Sequence, residues 1–202
     1  MDFDVIFITG PQGAGKGTQG KRLAEKLGFF FWEMGEILRD MLKENTPLSK
    51  KLLAINRGTL LPDDVIFEVL KEKLGMVPPG QGIIFDGVPR RLGQAEFLLQ
   101  LLRGQKKKLA TIFIDVPREV SLNRILLRAK KENRVDDTPE AIATRLRYYD
   151  EVVKPTIVYL EKETTFTRVD GRPTIDEIEK NIDAALGLAA PNPPAGGEGG
   201  LA

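Results

Sequence analysis

Gly10-Pro11-Gln12-Gly13-Ala14-Gly15-Lys16-Gly17-Thr18-Gln19 stands between the apolar run Val5-Ile6-Phe7-Ile8 and the helix-forming segment Lys21 to Leu27. Strand, glycine-rich turn and helix, in that order, is the setting in which a loop wraps phosphate. The glycines let successive backbone N–H groups converge on one concavity, the helix start adds the positive end of its dipole, and Lys16 can reach the outer phosphates. A polyphosphate is therefore the expected ligand. The common form of this loop places Ser or Thr directly after the lysine to hold magnesium, whereas here Gly17 precedes Thr18. No direct protein ligand for the metal is expected, and magnesium would be carried by the nucleotide and water.

The 202 residues suit one domain with an ample core. With 42% hydrophobic residues, 29% charged residues and a net charge of +1, the chain has no field that favours nucleic acid or a membrane surface. Cys and His are both absent, which removes disulfides, thiolate nucleophiles, imidazole bases and the usual zinc ligands together. Catalysis must rest on Lys, Arg and carboxylates. Met1-Asp2-Phe3-Asp4 is acidic and the apolar run after it is of strand length, so a cytoplasmic protein is expected. Nothing in the sequence signals an oligomer, and a monomer is expected.

Outward from the loop, Val5 to Thr9 reads as a buried parallel strand and Lys16 to Leu27 as a helix closed by Gly28. Phe29 to Trp32 is an aromatic strand. Ile37, Leu38, Met41 and Leu42 recur at helical spacing, a second helix runs from near Pro47 to Asn56, and Asp63 caps a third that carries Val65, Ile66, Val69 and Leu70. Residues 33–63 thus form a small helical excursion between strands. Gly82 to Asp86 is a strand with a carboxylate at its carboxyl end, where ligands bind in an open α/β sheet. After the loop Gly87-Val88-Pro89-Arg90-Arg91 comes a helix with Gln94 near its start. Ala110 to Val116 is a strand, Pro117 suits the first turn of the next helix, and Pro155 is expected to end or kink a later one. Thr165 to Asp170 is the last strand, Thr174 caps the last helix, and the Pro/Gly-rich segment 188–202 reads as a disordered tail. Alternating strands and helices predict a doubly wound five-stranded parallel sheet with helices on both faces, as one domain over 1–187.

Arg39, Arg90, Arg124, Arg128, Arg134 and Arg145 occupy loops or helix ends that such a fold can bring to the carboxyl edge of the strands. Two anionic substrates meeting head-on repel each other. Fixed guanidinium groups offset that repulsion and stabilise charge on a phosphoryl group in transit. An acceptor that is itself a phosphate needs no base, in keeping with a chain that lacks histidine. Asp86 would then order magnesium-bound water.

Over nearly its whole length the chain resembles the adenylate kinase family. Gly10 to Gln19 is similar to its phosphate loop, including the Gly-Thr after the lysine. Gly35-Glu36-Ile37-Leu38-Arg39 resembles its Gly-Asp-Met-Leu-Arg segment, Gly58 to Asp64 its Gly-x-Leu-Val-Pro-Asp-Glu segment, and Asp86-Gly87-Val88-Pro89-Arg90 its Asp-Gly-Phe-Pro-Arg segment. Arg134-Val135-Asp136-Asp137 and Arg145 match the region after its lid.

The resemblance implies reversible transfer of a phosphoryl group from MgATP to AMP, giving two ADP. It implies that Lys16 and the backbone of Gly13, Ala14, Gly15, Gly17 and Thr18 hold the ATP phosphates, with Arg124 and the turn at Arg172 against the ATP adenine. Arg39 and Arg90 would hold the AMP phosphate, while Arg128, Arg134 and Arg145 surround the transferring group. Met34, Thr59, Leu60, Leu61, Gly87, Val88, Pro89 and Gln94 complete the implied AMP site. The excursion 33–63 would be the AMP-binding flap and 129–135 a short lid, both closing over substrates; a zinc-bearing lid is excluded by the absence of cysteine.

Two departures bear on the acceptor. Met34 and Glu33 stand where AMP-using members carry Thr and Ser, which removes a hydroxyl contact worth on the order of 1 kcal/mol. Gln94 keeps the glutamine that faces adenine in the family, and an amide can donate to and accept from an adenine edge at once. AMP is the favoured acceptor. The alternatives are a kinase for UMP or CMP, and a P-loop ATPase or switch, which lacks the Asn-Lys-x-Asp guanine motif.

Overall fold

The computed structural model describes residues 3–55, 61–132 and 139–188, with side chains over 3–53, 61–127 and 142–188. Five strands, β1 Val5–Thr9, β2 Phe30–Glu33, β3 Ile83–Asp86, β4 Leu109–Asp115 and β5 Thr165–Asp170, form one sheet in the order β2-β3-β1-β4-β5. Every pairing is parallel. The chain winds out to β2, returns through β3, and crosses β1 to reach β4 and β5. That reversal opens a crevice at the carboxyl edge, beside the loop after β1.

The pleat explains why β1 is a continuous apolar run. Val5 and Phe7 join Ile83, Phe85, Trp32 and Leu98 on one face, whereas Ile6 and Ile8 join Ile84, Leu23, Ile112 and Ile178 on the other. Both faces are covered by helices, so Val5 to Ile8 are all apolar and the first polar side chain, Thr9, stands at the carboxyl end of the strand. Phe85 lies 5.4 Å from Phe7 and 5.4 Å from Trp32, centroid to centroid, and burial of each such ring contributes about 1.5–3 kcal/mol.

Helix α1, Lys16–Leu27, runs directly out of the glycine loop. It is tied to α9, Ile175–Ala185, by Arg22 on Asp176 and Glu179 and by Lys26 on Glu179 and Asp183, each at 2.6 Å. The expected cap at Thr174 is present as a reciprocal pair: its hydroxyl accepts from the Glu177 N–H and the Glu177 carboxylate accepts from the Thr174 N–H.

The excursion between β2 and β3 holds α2 Met34–Met41, α3 Pro47–Ile55 and α4 Asp63–Leu74. Beyond β3 come α5 Leu92–Gly104, α6 Arg118–Glu132, α7 Pro139–Tyr148 and α8 Lys154–Glu163. The interruption expected at Pro155 falls just before it, as a π-helical turn over Tyr149–Val153, after which Pro155 occupies the first turn of α8. A proline ring crowds the carbonyl four residues earlier, and a widened turn relieves that crowding without ending the helix.

Two sequence expectations are corrected. The aromatic strand lies one residue later than 29–32, because Phe30 pairs with Ile83 and Glu33 with Asp86 at the end of the ladder. Asp63 does not cap α4. Pro62 holds the N-cap position, and Asp63 is the first helical residue.

Candidate functional site

The loop after β1 is a set of backbone donors in special conformations. Gly13 and Gly15 have φ of +80° and +94°, a region that L side chains avoid, and Gly15 is the N-cap of α1. The Ser121 hydroxyl of α6 donates to the Gln12 carbonyl and braces the loop from behind. Lys16 Nζ donates to the carbonyls of Gly10 at 3.0 Å and Pro11 at 2.8 Å, so the ammonium lies along the loop rim.

Asp86 ends β3, level with Glu33 of β2 and Ile8 of β1. Its Oδ2 lies 3.4 Å from the position a Cβ on residue 17 would take. A Cβ at residue 17 would be in van der Waals contact with the carboxylate, which lies beside the helix start. Burial pushes the Asp86 carboxyl above its ordinary value; Glu33 adds to the rise, whereas Lys16 and Arg90 oppose it.

The sign of the linkage follows. Far below the ordinary carboxyl value, native and unfolded chains are both protonated at this position and the burial of charge costs nothing. As pH rises through the window between the ordinary and the raised value, the unfolded chain loses its proton first and the native state loses stability. Asp86→Asn is therefore expected to unfold at a higher temperature than the wild type at neutral pH, with the difference closing on acidification, while its turnover falls more than about tenfold. Thermal melts over a pH series together with a rate assay check both halves.

A cavity of about 260 Å³ opens beside Asp86, between α2, α4 and α5. Met34, Leu38, Leu42, Leu52, Leu61, Ile66 and Val88 make its walls apolar, and Arg39, Arg90, Arg91, Gln94 and Tyr148 supply the polar groups. An apolar cleft with few convergent polar groups is the usual form of a small-molecule site. Met34 is buried, so its substitution for Thr removes a hydroxyl from the wall rather than opening it. Arg90 Nη2 lies 3.3 Å and the Met34 Cβ 3.6 Å from where a Cβ on Gly87 would stand. Arg39 Nη2 approaches Glu33 Oε1 at 3.5 Å, and Lys21 Nζ approaches the other oxygen of Glu33 at 3.6 Å.

Of the residues expected at the site, Met34, Arg39, Leu61, Gly87, Val88, Arg90 and Gln94 line this cavity, and Pro89 is buried beside it. Arg124 and the Arg172 turn are brought together: the Arg124 guanidinium donates to the carbonyls of Gly171 at 2.8 Å and Arg172 at 3.3 Å. Arg145 is half-buried on α7, whose Ile142 and Leu146 pack on Ile125 of α6. Thr59, Leu60, Arg134, residues 133–135 of the expected lid and the tail from 189 lie outside the described residues, as do the side chains of Arg128 and of the rest of that lid, whose residues 129–132 form the end of α6.

Arg91, Asp63 and Tyr148 are parts of the site that the sequence reading missed. Arg91 donates to Tyr148 Oη at 3.2 Å, to the Leu61 carbonyl at 3.3 Å and to Asp63 Oδ1 at 3.1 Å. Asp63 Oδ1 also accepts from Gln94 Nε2 at 2.8 Å, and Gln94 Oε1 accepts from the Arg90 backbone N–H at 2.8 Å. The Pro62-Asp63 start of α4 and the Arg90-Arg91 pair were visible in the sequence, but nothing local joins them.

A larger cavity, about 390 Å³, lies against Pro11, Asp115, Tyr149 and Arg168. Its charges answer one another, Arg168 on Asp115 at 3.0 Å and Lys154 on Asp150 at 2.6 Å. Volume alone does not make it the site. Among the described residues no cluster of carboxylates could hold a metal directly, and no helix is long and apolar enough to cross a membrane.

A family model described as Adenylate kinase matches residues 8–165. Among curated relatives, an adenylate kinase of Thermus thermophilus is 45% identical over 186 residues, 91% of this chain and 97% of the relative. An adenylate kinase of Stenotrophomonas maltophilia is 37% identical over 183 residues, 90% of this chain and 98% of the relative. One of Phocaeicola vulgatus is 36% identical over 183 residues, 90% of this chain and 97% of the relative.

Proposed function

Since the chain belongs to the adenylate kinase family, we propose that the loop after β1 holds ATP, that the cavity between α2, α4 and α5 holds AMP, and that the γ-phosphoryl group passes directly between them. The enzyme is a phosphotransferase, and the finer reading is ATP:AMP transfer giving two ADP. One observation carries it: Asp86 Oδ2 lies 3.4 Å from where a Cβ on Gly17 of the phosphate loop would stand, and Gly87, the next residue in the chain, lines the cavity together with Arg90. The donor and acceptor sites therefore meet at one carboxylate.

In this reading an oxygen of the AMP phosphate, ionised at neutral pH, attacks the γ-phosphorus of ATP, and the bond from that phosphorus to the β,γ-bridging oxygen breaks. No proton has to be removed from the acceptor. Lys16 and the N–H groups from Gly13 to Thr18 hold the donor phosphates in line, while Arg39 and Arg90 hold the acceptor phosphate and offset its repulsion. Arg128, Arg134 and Arg145 are assigned to the transferring group by family match, and Arg124 and the Arg172 turn to the donor adenine. Magnesium fits here as an ion delivered with ATP, since Asp86 offers a carboxylate suited to ordering its water; when bound it neutralises charge on the outer phosphates. The flap 33–63 and the lid 129–135 close to exclude water, which keeps ATP from hydrolysis.

The test supplies γ-labelled MgATP with AMP, UMP, CMP, GMP or no acceptor. Label is expected in ADP, with AMP the preferred acceptor. Equal rates with a pyrimidine monophosphate, or phosphate released without acceptor, would overturn the assignment of AMP to the cavity.

A further inference from the structure

We propose that Asp63 is a positioning residue for base recognition: it locks the Gln94 side-chain amide so that the acceptor cavity reads a base edge bearing an amino group and rejects one bearing an oxo group. The inference rests on the reading of that cavity as the AMP site and adds to it what sets the selectivity.

Asp63 is the first residue of α4, one position past the N-cap, where a carboxylate commonly faces its own helix's free N–H groups. Its Oδ1 instead accepts from Gln94 Nε2 at 2.8 Å and from Arg91 Nη1 at 3.1 Å, across to the start of α5. The other end of the Gln94 amide accepts from the Arg90 backbone N–H at 2.8 Å. These partners leave no choice of orientation. A carboxylate only accepts and a backbone N–H only donates, so the NH₂ must face Asp63 and the oxygen must face Arg90. Gln94 is 5% exposed, and turning the amide over would set two donors together and two acceptors together without water to separate them.

What the locked amide still offers the cavity is one N–H and one oxygen lone pair, in a fixed order. An adenine edge presents an amino donor beside a ring-nitrogen acceptor and matches that order. A 6-oxo purine presents an acceptor beside a ring N–H and requires the reverse. A free glutamine would turn over and accept both, whereas a pinned one discriminates. The lock matters more here because Met34 contributes no hydroxyl to the same wall.

AMP and inosine monophosphate differ only at this edge and form the probe pair. In Asp63→Ala, the ratio of kcat/KM for AMP to that for inosine monophosphate is expected to fall about tenfold or more, through a raised KM for AMP with kcat within about threefold of wild type. Asp63→Asn, whose amide oxygen can still accept, retains most of the discrimination. In a Gln94→Ala background, Asp63→Ala changes the ratio no further. An unchanged ratio in Asp63→Ala, or an equal change with and without Gln94, would overturn the proposal. A measurement on the wild type does not depend on any variant folding: the Gln94 side-chain amide protons, held by Asp63, are expected to exchange with solvent far more slowly than those of the exposed Gln100 and Gln105, and exchange as fast as theirs would contradict the contact. A wild type that fails to use AMP defeats the site reading itself. One that uses AMP while the variants leave the ratio unchanged defeats the positioning role alone.

Discussion

Lys16→Ala is expected to lower kcat by about a thousandfold while the protein unfolds at close to the wild-type temperature. In the proposed function the Lys16 ammonium meets the outer phosphates, and charge building on the transferring group in a water-excluded site is where one fixed cation counts most. The fold does not depend on it. Nζ reaches the Gly10 and Pro11 carbonyls at the loop rim, which water can satisfy in its absence. The residues that seat α1 on the sheet are Leu23 and Ala24, both buried in the core. Steady-state rates beside thermal melts check this, and a variant that keeps more than about a tenth of wild-type kcat contradicts the role given to Lys16.

The second large effect belongs to Arg90. Arg90→Ala is expected to lower kcat/KM for AMP by about a hundredfold to a thousandfold while KM for ATP stays within a few-fold of wild type. The asymmetry arises because Arg90 lines the acceptor cavity, not the donor loop. Its side chain is exposed, and the N–H that holds Gln94 is on the backbone, so truncation spares both the core and the base-reading amide. Arg90→Lys is expected to recover little, since a point charge cannot reproduce two parallel bonds to a phosphate. Equal loss of affinity for both nucleotides would place Arg90 outside the acceptor site.

Much of the architecture could be read because its causes are local. Val5 to Ile8 of β1 are apolar since both faces of the sheet are covered, and the glycines after the strand are required by left-handed turns at Gly13 and Gly15. Thr174 and Glu177 announce a helix start within four residues of chain. Helical spacing also marked α2, the loop and helix-end positions of Arg39 and Arg90 were open to view, and Gln94 was picked out by family resemblance; the three line one cavity.

The misses share a different cause. Whether Asp63 caps its own helix or reaches Arg91 and Gln94 is decided by residues 28 and 31 positions away, which no local pattern records. Register set the end of β2 at Glu33, opposite Asp86, and propensity in an aromatic run says nothing about register. The interruption expected at Pro155 is present but displaced upstream, as a π-helical turn after which the helix resumes at Lys154.

Donor phosphates on the loop after β1 and an acceptor nucleotide in the α2–α4–α5 cavity are proposed to meet in line beside Asp86. The most direct measurement is a crystal structure of the enzyme with a bisubstrate analogue in which two adenosines are joined through five phosphates. The account predicts the phosphate chain running from the backbone of Gly13 to Thr18 and Lys16 across Asp86 to Arg39 and Arg90, with the acceptor adenine against Gln94. An acceptor adenosine seated elsewhere, for instance in the cavity beside Asp115 and Arg168, would contradict it.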